Sequence, residues 1–167
     1  MVDPASGPFL FDTSAEGWLA RNASPDIARW LYTYLGVHEF QVSAATVTER
    51  IRRYSILWRR STLERRAPIE DARVAYLNQL GNVLPMDTAV AVVAGEIMAL
   101  IPEPPSPPHH SHRLAESRQE RLARWRFDGI IAATALVAGI PLVSNNAIDF
   151  EAIRNWPLQL IQCSRLA

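Results

Sequence analysis

The chain has 167 residues, 49% of them apolar, which suits one domain with its own core and excludes a disordered chain. Its single cysteine, Cys163, excludes an internal disulfide and fits a reducing compartment. The formal net charge is zero, so the overall balance carries no argument for or against a polyanionic partner.

The opening MVDPASGPFLFD places an acid where a secretory signal would carry positive charge, and no apolar run reaches the roughly 18 residues that span a bilayer. A cytoplasmic location without a membrane partner is the expectation. A short apolar run from Pro8 to Asp12, ending in an acid, predicts a buried strand. Thr13 to Asn22 reads as loop and short helix. Ser24 then offers an N-cap with Pro25 at the first helical position, and the helix should pass through Ile27, Trp30, Leu31 and Tyr34 to a left-handed cap at Gly36.

Phe40 to Ser43 predicts a second strand, and from about Ala45 a long helix carries Ile51, Tyr54, Ile56 and Leu57 on one side. Pro68 is expected to break it, with a further helix from Ile69 to Gly81. Asn82 to Leu84 is a third strand, and Asp87 caps a helix to about Leu100. Five prolines between Pro102 and His112 make a stiff loop that leads into an arginine-rich helical stretch ending at Arg126. Asp128 to Gly139 reads as a small-residue helix capped by its acid, followed by the strand from Pro141 to Ser144. A short helix around Asp149 to Arg154 and a last strand from Leu158 to Gln162 complete the chain. Strands alternating with helices predict an α/β fold with a parallel sheet covered on both faces.

Every one of the seventeen basic residues is arginine. Arg50, Arg52, Arg53, Arg59, Arg60, Arg65 and Arg66 fall in one segment, and Arg113, Arg118, Arg121, Arg124 and Arg126 in another. A guanidinium fork suits phosphate oxygens, although solvated helix faces would produce the same pattern. In an open parallel sheet, ligands gather at the carboxyl ends of the strands. Asp12 ends the first strand there, Asp149 follows the fourth, Asp128 opens the helix leading into the fourth, and Glu49 lies one turn into the helix after the second. Singly, each has an ordinary alternative: a turn residue for Asp12, a solvated face for Glu49, caps for Asp128 and Asp149. Together, four carboxylates in one pocket would repel each other, and a hard divalent cation relieves that repulsion. Such a centre suits metal-assisted phosphoryl chemistry.

The order FLFDTS, VSAATVTER, LPMD and FDGIIAATALVAGIPLVSNNAIDFEAI resembles PIN-domain proteins, specifically the VapC-type toxins of bacterial toxin–antitoxin pairs. The resemblance runs from about Pro8 to the C-terminus and is most specific from Asp128 to Phe150. It implies a three-layer α/β/α PIN-like fold with a short central parallel sheet of four to five strands, in a single domain spanning 1–167. It further implies a Mg2+- or Mn2+-dependent endoribonuclease, acting on RNA, that dimerises and is inhibited by a cognate antitoxin. The family's acidic site falls on Asp12, Glu49, Asp128 and Asp149, which would hold the metal and activate water. Thr13, Thr48, Ser144 and Asn146 match flanking polar positions that orient the acids or the phosphate.

The chain departs from the family pattern in four places. Ser14 stands where asparagine is usual, Asn145 where arginine is common, the glycine after the second acid is missing from ERIRRYS, and 102–126 resembles an insertion. His109, His110 and His112 within it read as solvated rather than as a metal site. Trp58 and Trp125 read as core or dimer contacts rather than base-stacking platforms. Ser14 also excludes the second aspartate of a haloacid-dehalogenase-like phosphatase. The absence of lysine excludes a receiver domain, and no glycine-rich phosphate cradle is present. A non-catalytic PIN-like binding module and an RNA-maturation nuclease stay open as alternatives.

Overall fold

Five strands of two or three residues supply the frame: β1 (Leu10–Phe11), β2 (Gln41–Ser43), β3 (Asn82–Leu84), β4 (Leu142–Ser144) and β5 (Leu160–Gln162). All pair in parallel, in the order β3-β2-β1-β4-β5. The structure is a computed structural model and describes residues 1–22, 24–104, 117–153 and 155–167. Seven α-helices lie among them: α1 (Thr13–Arg21), α2 (Pro25–Leu35), α3 (Ala44–Arg60), α4 (Leu63–Asn78), α5 (Thr88–Leu100), α6 (Arg118–Ala138) and α7 (Ala147–Glu151).

Successive side chains of a strand point to opposite faces, so the central strand must be apolar throughout. Leu10 packs with Ile97, Ile131 and Leu142 beneath α5 and α6. Phe9 and Phe11 turn the other way, onto Trp30 and Tyr34 of α2. Phe9 and Tyr34 stack at 5.5 Å between centroids, and the Tyr34 hydroxyl accepts the Phe9 N–H at 3.1 Å and donates to the Glu39 carbonyl at 3.2 Å. Helices cover both faces of the sheet, giving the three-layer α/β/α architecture. Among the described residues no helix is long and apolar enough to cross a membrane.

The strands fall within their expected segments, but several helices differ in bounds or capping, among them α7, which begins at Ala147 and not at Asp149. The break after α3 comes at Ser61, not at Pro68, which lies inside α4. Ser61 is extended (φ −94°, ψ 153°), and Pro68 stands in the second turn of α4, where its missing N–H costs a single helical bond. Gly36 is right-handed (φ −72°), because the Val37 and His38 N–H groups close the helix end on the Tyr34 carbonyl. Gly139 is the glycine that does take the left-handed form, at φ 65°.

The largest difference concerns Asp128. It caps nothing: α6 begins ten residues earlier with a capping box between Ser117 and Glu120 and runs through it without a break. Trp125 is core, 2% exposed, with its indole N–H on the Ile101 carbonyl at 2.8 Å. Trp58 is half-exposed, with the Arg66 guanidinium over its ring at 4.3 Å. His109, His110 and His112 lie outside the described residues, as does much of the expected insertion; 118–126 opens α6.

Candidate active site

Connections leave β1 toward β2 on one side and leave β4 toward β5 on the other, so the carboxyl ends of β1 and β4 form the crevice where the winding reverses. Asp12 and Ser144 stand on its two lips. Asp12 is the N-cap of α1: its Oδ1 accepts the Ala15 N–H at 2.6 Å and the Ser14 hydroxyl at 2.8 Å. The Ser144 hydroxyl donates to its Oδ2 at 2.7 Å. Burial pushes the Asp12 carboxyl above its ordinary range, while these three donors, led by Ser144, pull it back.

Glu49 lies 6% exposed on α3. Thr13 donates to its Oε2 and Arg53 to its Oε1, both at 2.5 Å. Asp149, on α7, accepts from the Asn146 side chain, and the Arg124 Nε stands 3.8 Å from its Oδ2. Phe150 and Ile153 are buried in the core and anchor this short segment.

Asp128 differs from the other three acids. It is 8% exposed, and among the described residues nothing donates a hydrogen bond to its carboxylate. Burial and then the charges of Asp149, Asp12 and Glu49 push its carboxyl well above the ordinary range, with Arg124 opposing them. A largely buried carboxylate without a protein donor, lining a cavity among like charges, carries a cost that a cation would offset.

A cavity of about 40 Å³ opens between these groups, lined by Asp12, Thr13, Ser14, Glu49, Asp128 and Asn146 among others. One water needs only ~10–15 Å³ by the same measure, so a small ion has room. Among the described residues no three acids converge as a ready-made cation cage. Asp12 and Glu49 turn their oxygens to protein donors instead, and the donor set, all hard carboxylate oxygen, still fits magnesium or manganese. Ligation would draw on Asp12, Asp128, Glu49 and Asp149, with the last two leaving their arginines.

The structure brings all four acids together, and three of the four expected orienting residues with them: Thr13 on Glu49, Ser144 on Asp12, Asn146 on Asp149. Thr48 is the exception. Its side chain is exposed and its hydroxyl donates to the Ala44 carbonyl one turn back, at 2.8 Å, as a mid-helix threonine commonly does. Besides Arg124 beside Asp149, two further residues touch the acids. Ser14, legible in sequence only as a missing asparagine, reaches both Asp12 oxygens and accepts the Asn145 N–H at 2.9 Å. Arg53 was one arginine among many, although its spacing four residues after Glu49 is that of a helical ion pair.

No protein-family model matches the chain. No curated protein matches it either. Solved structures do. The DNA-bound VapBC from Salmonella typhimurium is similar at 18% identity and a TM-score of 0.59, with 93% of this chain and 97% of that one covered. VapBC-1 from nontypeable Haemophilus influenzae is similar at 18% identity and a TM-score of 0.62, covering 94% and 98%. A toxin–antitoxin complex from Klebsiella pneumoniae is similar at 15% identity and 0.51, covering 93% and 98%. At these identities the likeness is one of fold. The chain has the PIN-like fold of these toxin–antitoxin proteins along nearly its whole length, and the resemblance read from its motifs holds at that level.

Proposed function

We propose that this protein is a divalent-cation-dependent endoribonuclease, the toxin partner of a toxin–antitoxin pair. The observation that carries the reading is the Asp128 carboxylate: buried, without a donor among the described residues, and facing three other acids at the crevice of the sheet. Magnesium or manganese, when bound, supplies Lewis acidity that activates water and offsets charge on a phosphodiester.

The chain's own groups supply the rest. Ser14, Ser144 and the Ala15 N–H fix the Asp12 carboxylate, so its geometry is set before any ligand arrives. Thr13 does the same for Glu49, and Arg50 steadies this corner by bridging the Thr13 carbonyl (3.2 Å) and Glu16 (2.9 Å). Asn146 holds Asp149. Hydrolysis forms one P–O bond from water and breaks another, leaving a phosphomonoester and a free hydroxyl.

The antitoxin has a natural seat in this reading. A groove of about 660 Å³ between α1, α2, α3 and α4 is walled by Leu19, Leu31, Phe40, Tyr54 and Leu80, with the Glu16–Arg50 ion pair exposing a polar handle. Its apolar walls suit the apolar side chains of a peptide segment. The structural neighbours being toxin–antitoxin complexes supports such a partner. A homodimer is part of the same proposal, and light scattering of the purified chain tests it.

Cleavage of total cellular RNA by wild type, Asp12→Asn and Asp128→Asn, in manganese and in EDTA, tests the activity. Wild type should cut in manganese alone, and both variants should lose at least ~100-fold. Folded, manganese-loaded wild type that cuts no RNA would overturn the nuclease and favour a binding module.

A further inference from the structure

Two helices carry acids into the site, and each carries an arginine one turn away on the same face. On α3, Arg53 follows Glu49 by four residues; on α6, Arg124 precedes Asp128 by four. Residues at this spacing are neighbours on a helix surface. The Arg53 side chain is 56% exposed, yet its guanidinium is drawn onto the buried Glu49 at 2.5 Å. Arg124 reaches across to Asp149, at 3.8 Å.

Both arginines also belong to a second cavity. About 280 Å³ in volume, it is lined by Arg52, Arg53, Arg124, Phe127, Glu49 and Glu120. It shares Glu49, Arg53 and Arg124 with the acidic cavity, so the two adjoin. Arg53 and Arg124 therefore stand between the two cavities, each beside an acid a cation would take, while Arg52 lines the outer one alone. A carboxylate that ligates a divalent ion has given up most of its attraction for a guanidinium, and the ion repels that guanidinium directly. Arginine has the length and the planar fork to turn instead to a phosphate nearby.

We propose that Arg53 and Arg124 are exchangeable counterions, which neutralise Glu49 and Asp149 until a divalent cation takes those carboxylates and then bind flanking phosphates of a single RNA strand lying in the arginine-lined cavity. This rests on the metal-nuclease reading. Cation and RNA binding are thereby coupled, and the coupling is reciprocal: each tightens the other by the same factor. The same groups that stabilise the acidic centre become substrate-positioning residues when the centre is loaded.

Calorimetric titration with manganese, and anisotropy of a short labelled single-stranded RNA in calcium and in EDTA, test the exchange; calcium takes the same oxygen ligands. The variants are Arg53→Met, Arg124→Met, Arg53→Lys and, as an equal change of charge on an exposed helix elsewhere, Arg29→Met. Arg53→Met should bind manganese several-fold more tightly and RNA in calcium about tenfold more weakly, with RNA binding in EDTA little changed. Its dependence of log affinity on log salt should be shallower by about 0.7, the value of one single-strand phosphate contact. Arg124→Met should behave alike, Arg53→Lys should recover part of the RNA affinity, and Arg29→Met should match wild type. Weaker manganese binding in Arg53→Met, or an equal loss of RNA affinity in calcium and EDTA, would overturn the exchange. Wild type that neither binds manganese nor cuts RNA would remove the nuclease reading and this proposal with it. Wild type that does both, with variants that fail to part the two affinities, would remove the exchange alone.

Discussion

At Asp128, burial and three neighbouring acids hold the carboxyl well above its value in the unfolded chain. The folded state therefore keeps its proton to a higher pH than the unfolded state does. The stability of that arrangement is complete below the ordinary carboxylate range, and it is lost as pH rises toward the raised folded value. Asp12 and Glu16, both raised chiefly by burial, add the same sign. In EDTA, wild type should thus melt at a higher temperature near pH 5 than near pH 8. Asp128→Asn should flatten that slope and raise the pH 8 midpoint by a few degrees, since about 1 kcal/mol moves a domain of this size by roughly 2–4 °C. An unchanged slope would show that the acids do not repel as described. Asp12 was legible from its place at a strand end, whereas Asp128 was singled out by a cap pattern that the structure does not bear out. Ser14 was not legible, because its grip on Asp12 depends on the N-cap backbone geometry at φ −83° and ψ 174°, which no residue pattern displays.

α6 shows how one element positions the site and why its start was misread. An acid before a run of small apolar residues has the pattern of a cap. The true cap is Ser117, whose hydroxyl accepts the Glu120 N–H at 3.2 Å while the Glu120 side chain returns to the Ser117 N–H at 2.9 Å. Tertiary packing decides between them: Trp125 is sealed in the core ahead of Asp128, so the arginine-rich turns and the small-residue turns form one helix. Gly129 faces Met98 of α5, and a Cβ there would meet the Met98 methyl at 3.4 Å, an ordinary contact, so α5 and α6 pack closely at this point. Ser117→Ala should cost about 1 kcal/mol by loss of the cap. Gly139→Ala should cost about 1–2 kcal/mol by strain alone, since φ is 65° and nothing lies within 4 Å of its added carbon. Chemical denaturation checks both, with an unchanged slope against denaturant if only stability has moved. The central strands, by contrast, were readable from short apolar runs bounded by turn residues, since every residue of β1 and β4 is buried, while the edge strands β3 and β5 are only half-buried.

Across the whole molecule, the sheet order places β1 and β4 side by side, and residues 132 positions apart in the chain then share one hydrogen bond, Ser144 to Asp12. The site is therefore assembled only when the fold is complete: Asp12 lies between β1 and α1, Glu49 on α3, Asp128 on α6 and Asp149 on α7. A cation that binds this assembly and not the unfolded chain stabilises the entire domain by mass action. At free manganese one hundred times its dissociation constant the gain should be about 2.7 kcal/mol, or roughly 5–10 °C in the melting midpoint. Asp128→Asn should lose that shift while melting no lower than wild type in EDTA, because it removes a ligand and a repulsion together. Asp12→Asn should lose the shift and also melt lower, because its side-chain oxygen can keep the α1 cap but its amide nitrogen cannot accept the Ser144 hydroxyl as Oδ2 does. Thermal scans of the three proteins with manganese and with EDTA separate these roles. Equal shifts in all three would place the cation elsewhere on the molecule.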